Sequence, residues 1–173
     1  MCSKVKGLEP HPERMGVYKG VDFSGKSGII KVGSNEMYRK AKDNRSEPMP
    51  KKQLHKIEKG FKRSGGTIQR SAQIDEYLDS KRAEAITYDA HTILLKSNPG
   101  RASVFEELIH ATQYKNGEND GSYEKRLLCE IAAQEKLLAH KKAYQLTKIE
   151  IEQTQSALNS YKKELIKLKK GGL

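Results

Sequence analysis

Apolar and polar positions divide the chain into a weakly patterned first half and a strongly helical second half. Residues 1–14 carry two prolines and no periodicity, which predicts a flexible linker. From Gly16 to Val32, short apolar runs at Val17-Tyr18 and Ile29 to Val32 are separated by Gly and Ser, and predict weak strands or a hairpin. Residues 35–64 are helical in two pieces, interrupted by Pro48 and Pro50, and Gly65-Gly66 ends the second. Ile74 to Lys81 predicts a short helix. Ala85 to Tyr88 and Thr92 to Leu95 predict two strands around a short turn, and Asn98-Pro99-Gly100 stops the second. Everything after that is helical: about Arg101 to Lys115, about Ser122 to Gln145 after a Gly/Asn loop, and Lys148 to about Lys170. Thr147 and Glu150 spell a capping box, with Leu146 and Ile151 placed as a hydrophobic staple. The last two helices are therefore expected as an antiparallel hairpin with almost no loop. The expected fold class is α+β.

A helical wheel at about 100° per residue separates the first of these helices into two faces. Val104, Phe105, Leu108, Ile109, Ala111 and Thr112 form the expected core face. Glu106, Glu107, His110, Gln113 and Tyr114 form the other. Glu106 and His110 are one turn apart and can reach one ion, while Glu107 can reach a water on that ion. The H-E-x-x-H helix of zinc peptidases has this geometry, with Glu106 here in the place of the first His. The plainer reading is a helix start, because Ser103 and Glu106 also fit a capping box. On the second helix, Glu130 and Gln134 fall inside the apolar stripe of Leu127, Ile131, Leu137 and Leu138. A carboxylate there must be paired, protonated or metal-bound, since an isolated buried charge is prohibitively costly. Glu130 is thus read as the third ligand, against a salt bridge to Lys, Arg or His110 itself.

Other candidates carry less. Cys129 is about 100° off Glu130's face, so both cannot ligate one ion from a straight helix. His11, His55, His91 and His140 read as surface or packing residues. Tyr114 and Tyr123 can polarise an oxyanion in principle, but packing is the preferred reading. A strand at Thr92 to Leu95, expected at a sheet edge beside the helix, can pair with an extended peptide. Glu107 and His110 also spell the Glu-x-x-His of di-iron bundles, but the other carboxylates of such a site are missing.

Composition narrows the classes. With 35% hydrophobic residues in 173, no apolar run is long enough for a transmembrane helix, and no Sec-type leader is visible at the start. Two cysteines make no disulfide framework. The net charge is +11, and the stretch from Lys31 to Arg63 holds eleven Lys/Arg against four Asp/Glu. Such a stretch suits nucleic acid, an anionic surface or an acidic partner. No Trp and three Phe supply a poor stacking platform for single strands.

The segment AITYDAHTILLKSNPGRASVFEELIHATQYKNG, followed by LLCEIAAQEKLL, resembles the zincin-like metallopeptidase toxin domains of bacterial polymorphic toxin systems. The resemblance spans about residues 55–145. It implies a zincin-like core over 15–145 (a small sheet and an active-site helix), a C-terminal helix over 146–173 packed on it, and bound zinc. It assigns Glu106, His110 and Glu130 as metal ligands and Glu107 as catalytic base. It also implies a protein or peptide substrate, an immunity protein as partner, and a location in the cytoplasm or delivery as the last module of a larger toxin. The Glu at position 106 lowers the site's net charge, so the ion activates water less, and Mn or Fe is tolerated better. A slower metal-dependent peptidase is expected. Two other readings stand beside it: a basic nucleic-acid-binding or nuclease module, and a catalytically degenerate interaction module.

Overall fold

The computed structural model describes residues 47–171. The expected linker 1–14, the hairpin at 16–32, the helical piece before Pro48, Cys2 and His11 lie outside the described residues.

The chain turns into α1 (Lys51–Arg63) directly after Pro50, whose carbonyl accepts from the amides of Gln53 and Leu54. Proline suits this place because it has no amide to leave unpaired. Gly65, at φ +87°, ends the helix in a conformation that only glycine adopts without cost. Then follow β1 (Thr67–Gln69), α2 (Ala72–Ser80), β2 (Ala85–Thr87), β3 (Thr92–Leu95), α3 (Arg101–Lys115), α4 (Tyr123–Ala139) and α5 (Lys148–Lys169). The described residues thus form an α+β fold of five helices and one three-stranded sheet.

The sheet order is β1-β3-β2. β1 runs parallel to β3 with Ile68 opposite Ile93, and β2 antiparallel with Ala85 opposite Leu95. This corrects the expected edge strand. β3 is central, its main chain is paired on both sides, and it has no free edge to offer a peptide. Side chains alternate across it. Ile93 and Leu95 meet Leu54 of α1 and Val104 of α3 on one face, while Leu94 meets Ile74 and Leu78 of α2 on the other.

α3 is not half-solvated as its wheel suggested. Glu106, Glu107 and Gln113 are as buried as Val104 and Ala111, while Leu108 is half-buried and Thr112 exposed. α4 covers the polar side, joining Ala133 and Leu137 to Ile109, and α5 packs on α4 through Ala157, Leu158 and Tyr161. Ser103 lies inside α3 rather than capping it. Its hydroxyl donates to Glu84, and the helix begins at Gly100. α4 ends at Ala139, six residues short of Gln145. His140 caps it, one further turn is closed by the Tyr144 amide donating to His140 O, the Tyr144 ring stacks on Phe105 with centroids 4.1 Å apart, and Gln145 turns left-handed at φ +54°. The loop between α4 and α5 is therefore longer than expected.

The α5 capping box forms as spelled, and Leu146 and Ile151 share a core cluster. Glu150 does more than close the box. Its Oε2 accepts from Thr147 N, and its Oε1 accepts from Ala102 N at 2.9 Å, so one buried carboxylate secures the starts of two helices. Glu150→Ala orphans an amide at each, and is expected to cost about 2–4 kcal/mol in urea denaturation. A loss under about 0.5 kcal/mol contradicts this shared role.

Candidate metal centre

α3 brings Glu106 and His110 one turn apart, and α4 lays Glu130 over them. One donor atom from each of the three lies within 4.8 Å of the other two. His110 Nε2 is 3.5 Å from Glu130 Oε2 and 4.0 Å from Glu106 Oε1. Oxygen and nitrogen ligands of a tetrahedral ion with bonds of about 2.1 Å sit about 3.4 Å apart. The His110–Glu130 spacing already matches, whereas Glu106 must move closer by about 0.6 Å to His110 and, with the three atoms spread over up to 4.8 Å, adjust toward Glu130 as well.

Hydrogen bonds from neighbouring side chains fix two of these groups. Gln113 Nε2 donates to the carbonyl of Cys129 at 2.9 Å, which fixes the amide so that its Oε1 faces His110 Nδ1 at 2.8 Å. Nδ1 must therefore carry the hydrogen in both protonation states, and Nε2 is left to bind either a proton or a cation. Gln134, fully buried on α4, donates Nε2 to Glu106 Oε1 at 2.6 Å. Tyr161 of α5, buried itself, lies close enough for its hydroxyl to favour the ionised form of Glu130. Glu130 Oε2 is buried and makes no hydrogen bond; its charge is met by the His110 imidazole, with Nε2 3.5 Å away.

Electrostatically the three groups behave as one unit. Burial opposes a charged His110, but Glu130, then Glu107 and Glu106, outweigh it and push the imidazole up to about 10. Burial likewise opposes ionised Glu130, but His110 and the Tyr161 hydroxyl hold it below the usual carboxylate range. A proton on His110 Nε2 thus occupies the position that a cation would take.

Of the sequence-derived candidates, Glu106, His110 and Glu130 come together. Glu107 is buried on the same helix and its charge is felt at the His110 ring, but it does not belong to the three-ligand group. Cys129 is apart from the group, its thiol pushed up to about 11 by burial and Glu118. Tyr123 donates to Glu164 of α5. His55, His91 and His140 are exposed. The sequence reading missed the supporting roles of Gln113 and Tyr161. Gln113 carried a signal, a polar side chain three residues after His110 on its own face. Tyr161 carried none, because it arrives from a helix 31 residues beyond Glu130.

No family model, curated protein or solved structure matches the chain.

Proposed function

We propose that the protein is a metal-dependent peptidase with a zincin-like core, acting as a bacterial toxin effector module. The observation that carries this reading is the convergence of Glu106, His110 and Glu130 from two helices, with the buried Glu130 Oε2 ion-paired to His110 Nε2 at 3.5 Å but without a hydrogen bond. These three residues hold the ion. Bound there, it supplies Lewis-acid polarisation of a carbonyl oxygen and lowers the pKa of water. Gln113 keeps Nε2 of His110 available, and Gln134 and Tyr161 orient the two carboxylates. Glu107 accepts the proton of the attacking water and passes it to the leaving amine. The donor set of two carboxylates and one imidazole suits Zn²⁺ and admits Mn²⁺ or Fe²⁺.

The test is metal analysis of protein purified without chelator, combined with thermal melting and hydrolysis of a quenched fluorescent peptide library. About one equivalent of metal is expected, with a melting point that falls by roughly 10 °C in EDTA and recovers on adding metal. Hydrolysis follows the metal. A metal-free chain whose melting ignores EDTA overturns the reading, and leaves a buried Glu–His ion pair of purely structural use.

A further inference from the structure

The two sides of α1 differ sharply. Leu54 is buried, and Ile57 and Phe61 pack against the sheet core. Lys51, Lys52, His55, Lys56, Lys59, Lys62 and Arg63 are all exposed, and at about 100° per residue they cover one continuous arc of roughly 140°. Glu58, the helix's one carboxylate, lies outside that arc, with its Oε1 2.7 Å from Arg70 Nε. Among the described residues, none of the six Lys and Arg side chains forms an ion pair. A strip of six like charges about 18 Å long is left facing solvent.

We propose that this face of α1 binds the phosphate backbone of double-stranded nucleic acid without regard to sequence. Cations four residues apart, such as Lys52 and Lys56, are separated by about 6 Å along the helix, close to the separation of successive phosphates on one strand. Five of the six are lysines, which act as point charges rather than as forked readers of base edges. A membrane surface fits less well. An interfacial helix needs a free apolar face, and here Leu54, Ile57 and Phe61 are spent on the core. A single strand also fits less well. Phe61 is the helix's only Phe, Tyr or Trp and is turned inward, so unpaired bases find only the His55 ring to stack on. The proposal does not depend on the metal centre, which α1 does not contribute to.

The experiment is fluorescence anisotropy of a labelled 20-base-pair duplex, DNA and RNA in parallel, titrated with the full chain at 25–200 mM salt. The wild type is expected to bind with log K falling against log salt at a slope of about −4 to −5. The triple variant Lys52→Gln, Lys56→Gln, Lys59→Gln is expected to flatten that slope by about 3 and weaken binding more than about tenfold at 50 mM salt. Its melting point should match the wild type, since all three side chains are exposed. Replacement of the same three by Arg preserves binding. Absence of binding at 25 mM salt overturns the proposal, as does an unchanged slope in the Gln variant. Tighter binding to vesicles of one-third phosphatidylserine than to the duplex overturns it in favour of a membrane.

Discussion

Glu107→Gln is expected to lower peptide hydrolysis by about 100- to 10,000-fold in kcat while leaving the metal content at the wild-type level. Glutamine keeps the shape and the hydrogen-bonding capacity of the side chain but cannot accept a proton. Glu107 is outside the Glu106–His110–Glu130 group, so its neutralisation should remove the proposed base and spare the proposed metal site. Glu130→Gln is expected to do the reverse. It removes the charge of the proposed ligand whose oxygen lies 3.5 Å from His110 Nε2, so metal content should fall first and hydrolysis with it. Metal analysis and initial rates on the two variants separate the roles. Equal metal loss in both assigns Glu107 to the coordination sphere, and full activity in Glu107→Gln ends its assignment as base.

Metal affinity should rise about tenfold per pH unit, or roughly 100-fold between pH 6.5 and 8.5. His110 is pushed from 6.5 up to about 10 by its carboxylate neighbours, so over this range the metal must displace one proton from Nε2. The metal-free protein should show the opposite trend. A group whose folded pKa is raised stabilises fully below its unfolded value and loses that contribution as pH climbs toward the folded value. The melting point without metal should therefore decline from about pH 6.5 to pH 10. Glu130, held below the usual range, contributes above its unfolded value and is lost as pH falls through the folded one. Calorimetric titration of metal at several pH values, with melting curves in EDTA, reads both trends. An affinity independent of pH shows that His110 is already neutral and removes the linked ion pair from the account.

The parts of the fold legible in the sequence were those written in neighbouring residues. The limits of α3 follow from a Pro-Gly stop before it and a Gly/Asn loop after it. The capping box of α5 is spelled by Thr147 and Glu150, three residues apart. Glu130 was legible for another reason: a carboxylate within an apolar stripe is energetically anomalous wherever the helix packs. By contrast, β1 is three residues long and exists only because β3 supplies its partner. The stacking of Tyr144, just beyond the end of α4, on Phe105 of another helix has no local signal either.

The sequence alone determined an α+β chain with a helix bearing Glu106, Glu107 and His110, followed by a second helix with an inward Glu130, because periodicity and charge cost act within one segment. Tertiary structure alone decided that β3 lies in the middle of its sheet, and that α4 buries the polar side of α3. It also decided that Gln113 meets His110, Gln134 meets Glu106, and Tyr161 is felt at Glu130. Those outcomes depend on which surfaces meet. A side chain's distance from a partner on another helix has no counterpart in its local pattern until the chain has packed.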